Sequence, residues 1–201
     1  MVRRHLDHPW RGVPHAPTVA AFSQVAEWVE RDSRPLILDS GCGTGSSTRE
    51  IARVWPDCLV IGIDRSEARL GRLAAPGLPW RDGNALWVRA ELADFWRLAV
   101  AAGWKLERHY LLYPNPWPKA AHLRRRWHGH PGFTALLALG GCLELRTNWR
   151  IYAEEFALAL GLATGGNVAV ESQVTGPVTT PFERKYRARG DPLFRVVRDL
   201  P

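Results

Sequence analysis

Gly41, Gly43 and Gly45 stand in the run LILDSGCGTGSS, directly after an apolar stretch that reads as a buried strand. Glycine lets backbone approach a ligand with no Cβ in the way. A second apolar run, CLVIGID, ends in Asp64. That acid follows Gly45 by roughly 20 residues, the spacing at which a carboxylate accepts the ribose hydroxyls of an adenosine. The glycine spacing is G-x-G-x-G rather than the G-x-G-x-x-G of dinucleotide sites, and Asp39 precedes it at the strand end. A carboxylate there sits poorly against a pyrophosphate and well against an ammonium or a sulfonium. S-adenosylmethionine carries both cations and no phosphate, so this turn points to methyl transfer. A third acid is expected beside the adenine, after the next strand. WVRAELADFW offers Glu91 and Asp94, of which Glu91 lies closer to the strand end. The plainer reading of Glu91 is an exposed carboxylate in the first turn of a helix, where the dipole favours it.

A second chemical stretch is YPNPWPK, Tyr113 to Lys119, followed at once by AAHLRRRWHGHP. It closes an apparent fourth strand. In open α/β sheets the carboxyl ends of the strands face the ligand crevice. Prolines on both sides of Trp117 stiffen the loop. Asn115 offers an amide donor and acceptor. Trp117 offers a face on which a base stacks. Lys119, Arg124, Arg125 and Arg126 follow with no acid between them and suit phosphate oxygens. The plainer reading is a solvated basic face over a core tryptophan; with 10 tryptophans in the chain, most must be structural.

The elements that must position these groups read as follows. Short apolar runs at Leu36–Leu38, Leu59–Ile63, Ala85–Arg89, His109–Tyr113, Cys142–Arg146, Val168–Ser172 and Phe194–Val197 are strand candidates. Helical patterns cover about Ser46–Val54, Ser66–Leu73, Ala93–Ala102, Gly132–Leu139 and Trp149–Leu160, and Val19, Phe22, Val25, Ala26 and Val29 form one stripe of an earlier helix. The alternation predicts an α/β fold: a doubly wound, mostly parallel seven-stranded sheet with helices on both faces. The Pro/Gly/Arg-rich link before the last strand predicts an antiparallel edge. A single domain over 1–201 is expected, with 1–17 irregular and 36–201 as the catalytic core.

Composition sets the wider bounds. The chain has 201 residues, 46% hydrophobic and 23% charged, which suits one folded core. A net charge of +7 argues for an anionic partner, with nucleic acid foremost. Cys42, Cys58 and Cys142 are widely spaced and match neither a disulfide framework nor a zinc site. The start, MVRRHLDHPW, lacks an apolar signal core. A cytoplasmic protein with no membrane and no metal is expected, acting as a monomer or weak homodimer.

Taken in order, LDSGCGTG, VIGID, YPNPWPK…HLRRRWHGHP, LRTNWRIYAEEF and TTPFERKYRARG resemble the bacterial tRNA (guanine-N7)-methyltransferases, which modify guanine-46 of the variable loop. The resemblance runs from about Leu36 to Gly190. It implies a class I methyltransferase fold, S-adenosylmethionine as cofactor and tRNA as substrate. It assigns the cofactor acids to Asp39, Asp64 and Glu91, where the family has Glu, Glu and Asp. Asn115 falls on the family's catalytic aspartate, beside both cofactor and base. Lys119 falls on a substrate-binding lysine, Asn148 on a substrate-binding aspartate, and Thr180, Pro181, Phe182 and Glu183 on the late substrate-binding element. The N-terminal region is shorter than the family's. The two aspartate-to-asparagine differences leave other outcomes open: methylation of another nucleobase nitrogen or a small molecule, Glu183 acting as compensating acid, or an inactive paralogue that binds S-adenosylmethionine and RNA.

Overall fold

A computed structural model describes residues 1–8, 10–73, 75–172, 176–177 and 180–201. The chain runs α1 (Val2–Asp7), α2 (Ala16–Glu30), β1 (Leu36–Ser40), α3 (Ser46–Val54), β2 (Leu59–Asp64), α4 (Glu67–Leu70), β3 (Trp80–Asp82), β4 (Ala85–Arg89), α5 (Leu92–Ala101), β5 (Leu106–Leu112), α6 (Phe133–Ala138), β6 (Gly141–Thr147), α7 (Arg150–Thr164), α8 (Pro181–Ala188) and β7 (Phe194–Leu200). One 7-stranded sheet has the order β3-β4-β2-β1-β5-β6-β7. Its central strands are parallel, and both edges, β3 on β4 and β7 on β6, are antiparallel. Strand order reverses at β1, so the carboxyl ends of β1 and β5 open the crevice where such sheets bind ligands.

The two faces of the sheet differ. On one, α2, α5, α6 and α7 bury Phe22, Phe95, Trp96, Phe133 and Phe156 against Leu38, Ile61, Leu111 and Leu145. On the other, α3 buries Ile51 and Ala52 against Ile37, Val60, Trp87 and Tyr110. Past Tyr110 this second face turns ionic. Glu144 is the β6 partner of Tyr110, and Arg146 pairs in register with Arg195 of β7.

The structure departs from the sequence reading at several elements. Val168–Ser172 is not a strand; only Glu171 bridges to Arg195. Val168 and Val170 are apolar because they pack on the main core. The remaining strand is Trp80–Asp82, folded onto β4 by a tight turn at Gly83 and Asn84, with Trp80 stacked on Trp87 at 4.9 Å. Gly83-Asn84 is a known signal of such a turn. The link before β7 holds α8, whose start is a capping box: Thr180 Oγ1 accepts from the Glu183 N–H, Glu183 returns the bond, and Pro181 occupies the first helical position. The segment expected to be irregular begins with α1. No helix among the described residues is long and apolar enough to cross a membrane.

Candidate functional site

Asp39, on β1, is fully buried. Its Oδ2 accepts from the hydroxyls of Ser47 (2.6 Å) and Thr48 (2.7 Å) in the first turn of α3. Its Oδ1 is buried with no hydrogen-bond partner. Burial pushes the carboxyl up to about 6; the two hydroxyls oppose this and nearby Asp64 adds to it. Thr48 reaches Asp39 because β2 carries Gly62, where a Cβ would lie 2.2 Å from the threonine oxygen. Ser40 is locked beside it, its hydroxyl between Trp96 Nε1 (3.0 Å) and His109 Nε2 (2.8 Å). Burial holds His109 down to about 3, so the ring is neutral.

The glycines of the turn divide into two kinds. Gly41 and Gly43 have φ of +84° and +60°, and a Cβ at Gly43 would meet no heavy atom within 4 Å. The backbone there is open to a ligand. Gly45, expected at the cofactor, is instead a packing position. A Cβ on it would lie 2.5 Å from Leu73 Cδ2 and from Trp87 Nε1, and its carbonyl accepts from that indole at 3.3 Å. Asp64 bolts the turn to β2: it accepts from Gly43 N–H (2.9 Å) and Ser66 N–H (2.8 Å), and Arg69 lies 3.7 Å away. Each carboxylate oxygen keeps a further lone pair. Glu91 is exposed at the start of α5 and makes no side-chain cap. The neighbouring Asp94 is buried under the His15 N–H (2.9 Å) and Arg97 (3.3 Å). The open carboxylate after β4 is therefore Glu91. A buried, half-satisfied carboxylate beside an open glycine turn, with Asp64 and Glu91 on the adjoining strand ends, fits a cationic, phosphate-free adenosyl ligand.

The tip of β5 is strained. Tyr113 and Trp117 have φ of +54° and +45°, rare for aromatic residues. The Tyr113 N–H donates to the Arg146 carbonyl (2.8 Å). Asn115 is exposed, and its Oδ1 accepts from the Trp117 N–H (3.2 Å). Arg126, expected on the RNA face, is only 3% exposed. It donates to the carbonyls of Pro116 and Trp117, both at 3.0 Å, and pairs with Glu155. Glu155 also meets His128 Nε2 at 3.0 Å. Lys119, Arg124 and Arg125 are exposed, with the Arg125 guanidinium 4.7 Å over the Trp117 ring.

Across the crevice, Asn148 is half-buried just past the end of β6. Thr180 is buried as the cap of α8, while Pro181 and Phe182 are exposed. Phe182 lies near-parallel to Tyr113 (6.1 Å, 18°) and Tyr186 (6.1 Å, 29°). Glu183, expected at the substrate and named as a compensating acid, has no solvent exposure. Its Oε2 takes Arg146 (2.8 Å) and the Thr180 N–H (3.2 Å), which ties it to the start of the helix, while its Oε1 is buried 3.6 Å from Arg187. Arg146 also pairs with Glu144 (2.6 Å), and Arg195 joins Glu144 (3.0 Å) to Glu171 (3.0 Å). Sequence reasoning missed this network, although Glu144 and Arg146 alternating with Leu143 and Leu145 signal a polar strand face. It also missed Ser47 and Thr48, for which the hydroxyl run after Gly45 was the available signal.

Comparison with known proteins bears on this geometry. A family described as "Putative methyltransferase" matches residues 33–196. A tRNA (guanine-N(7)-)-methyltransferase of Pseudomonas aeruginosa (strain UCBPP-PA14) is 33% identical over 174 residues, 83% of this chain and 69% of that protein. One from Pseudomonas syringae pv. syringae (strain B728a) is 31% identical over 206 residues, 98% of this chain and 82% of that protein. Among solved structures, the 16S rRNA methyltransferase KamB superposes with a TM-score of 0.57 at 19% identity, covering 87% of this chain and 93% of that one; at that identity the likeness is one of fold.

Proposed function

The chain belongs to the tRNA (guanine-N7)-methyltransferase family, and on that premise we propose that it methylates N7 of a guanine in tRNA, in the variable loop at position 46, in the cytoplasm. The observation that carries the reading is the buried Asp39, with one unpartnered oxygen, beside the open Gly41–Gly43 turn. S-adenosylmethionine, when bound, supplies a methyl group on a sulfonium. Asp39 takes its ammonium, Asp64 its ribose hydroxyls, Glu91 the adenine side, and Gly41 and Gly43 admit it close to the backbone.

Guanine N7 carries a lone pair at neutral pH, so no proton has to leave and no general base is needed. The protein's task is in-line positioning, which supplies most of the acceleration in such displacements. Asn115 holds the edge of the base, and Phe182 with Tyr113 offers it a stacking surface. The Asn115 oxygen is tied to the Trp117 N–H, so the amide turns its N–H groups outward. A donor there suits guanine O6. Methylation of an exocyclic amine needs that oxygen as an acceptor, and the Trp117 N–H already takes one of its two lone pairs. Asn148 stands across the crevice from Asn115, and Lys119, Arg124 and Arg125 take backbone phosphates.

The test is incubation of the protein with labelled S-adenosylmethionine and unmodified tRNA, followed by nucleoside analysis. The expected product is 7-methylguanosine in the variable loop. Label on another nitrogen, or cofactor binding without turnover, overturns the reading. Asn115→Asp tests the amide: a fall in turnover of about tenfold or more is expected, because the outward donor is replaced by an acceptor. A gain in turnover means that Asn115 is a weakened aspartate site and not an adapted one.

A further inference from the structure

We infer that Trp117 and Arg125 form a preset clamp for one phosphate flanking the methylated guanosine. The inference rests on the tRNA reading and refines it, because it alters what Trp117 is for. The sequence suggests a bare indole on which a base stacks. In the structure one face of that ring carries the Arg125 guanidinium at 4.7 Å, and His122 meets its edge at 5.5 Å and 86°. The ring is thus spent on a cation, and the exposed aromatic face of the crevice belongs to Phe182, 56% exposed.

The backbone that carries the indole is held from several sides. Trp117 sits at φ +45°, its main-chain N–H donates to Asn115 Oδ1, and its carbonyl is gripped by the buried Arg126, itself anchored on Glu155. A residue fixed this firmly in an uncommon backbone conformation is a rigid seat for the arginine on top of it.

Other arginines lie over indoles here, and they differ in partner or in place. Arg97 over Trp10 (4.6 Å) is paired with Asp94, Arg108 over Trp55 (4.8 Å) donates to Cys142 Sγ, and the exposed Arg49, over Trp87 (5.4 Å) and Trp80 (5.9 Å), stands on α3 and not on the Asn115 loop. Arg125 is exposed and has no carboxylate partner among the described residues. From Asn115 to His130 the sequence has no acid at all. A guanidinium lying flat on a ring uses its face and keeps its in-plane N–H fork free. That fork matches two phosphate oxygens. Arg125 is anchored on the same loop as Asn115, so the phosphate it grips is one next to the reacting base and not one along a distant arm.

The test compares Arg125→Ala, Arg125→Lys, Arg124→Ala and Trp117→Phe, by tRNA affinity at several salt concentrations and by methyl transfer. Arg125→Ala should lower kcat/KM on tRNA by about ten- to hundredfold, as expected for loss of a charge-assisted bidentate contact. Arg124→Ala removes an exposed cation that stacks on no ring among the described residues and should cost about two- to threefold. Arg125→Lys keeps the charge without the fork and should recover little. Trp117→Phe keeps a ring under the guanidinium and should retain most activity, whereas Trp117→Ala should add almost nothing to the loss in Arg125→Ala. Equal losses for Arg124→Ala and Arg125→Ala, or full recovery by lysine, would overturn the clamp and leave a diffuse basic surface. A wild-type affinity for tRNA that does not fall with salt defeats the tRNA reading itself, a result separate from either.

Discussion

The two halves of the sheet's carboxyl edge hold their charged groups by opposite means. At the ends of β1 and β2, the hydrogen bonds to carboxylates come from neutral donors, with Arg69 at 3.7 Å from Asp64 as the nearest cation. Asp39 leans on the hydroxyls of Ser47 and Thr48, and Asp64 on the N–H groups of Gly43 and Ser66. At the ends of β5 and β6, acids are matched with arginines: Arg126 with Glu155, Arg146 with Glu144 and Glu183, Arg195 with Glu144 and Glu171. On the function proposed above, the difference matches what each half would attract. A site for a cation keeps a carboxylate electrostatically unspent until the ligand arrives. A site for a polyanion does the reverse: it consumes its own acids on buried arginines, so that Lys119, Arg124 and Arg125 face solvent without local competition. Neutral fastening on one side and ionic fastening on the other let a small domain present both signs within one crevice.

The ionic half should therefore break hardest. Arg146→Met leaves Glu183 buried without its closest cation and Glu144 with Arg195 alone, and breaking a buried pair by removing one partner costs about 3–5 kcal/mol. Chemical unfolding should register that loss, and α8 should detach, with cleavage of the chain between Gly176 and Gly190 during brief proteolysis. A loss under about 1 kcal/mol would mean that the network is incidental and that the comparison fails.

The neutral half should respond to pH instead. The Asp39 carboxyl is raised to about 6 from a reference of 3.8, chiefly by burial. A carboxyl raised on folding is most at ease protonated. In the ligand-free protein its contribution to stability is full below about pH 4 and is lost as pH rises through 6, a change of roughly 3 kcal/mol. A bound ammonium reverses the preference, because it needs the ionised form. Affinity for S-adenosylmethionine should weaken about tenfold for each pH unit below 6 and level off above it. Calorimetric titration across pH 5 to 8 measures this, and Asp39→Asn should weaken binding and flatten the profile. A flat wild-type profile would mean that the buried oxygen serves the fold and not the ligand.

The strand ends of the first half were legible in the sequence because they announce themselves: an apolar run stops, and the next polar residue lies at the crevice. Asp39 and Asp64 stand at such ends and Glu91 just past one, as their positions in the sequence suggest. Gly45, Arg126 and Glu183 were misjudged for one shared reason. Residue type and motif position do not say which way a group faces. Gly45 looks inward to Trp87, and Arg126 and Glu183 are turned in by Glu155 and Arg146, partners 29 and 37 residues away. The same limit governs the fold. Val168–Ser172 has strand composition because its valines pack on the core, whereas the true edge strand, Trp80–Asp82, is too short to show a period.

The glycine turn separates the two causes of misjudgement within three positions. Gly45→Ala forces a Cβ to within 2.5 Å of Leu73 and Trp87 at a φ of +77°. Overpacking and left-handed strain together should cost about 2–3 kcal/mol, read as a lowered unfolding midpoint. Gly43→Ala meets open space, so it should cost only the strain of a side chain at φ +60°, about 1 kcal/mol, while the added methyl intrudes where the cofactor approaches. The expected pattern is thus a crossed one. Gly45→Ala yields a less stable protein that still binds S-adenosylmethionine when folded, and Gly43→Ala a nearly normal fold that binds it poorly. If both variants lost stability and affinity in the same proportion, the turn would be a single unit, and the division between a packed glycine and a ligand-facing one would not hold.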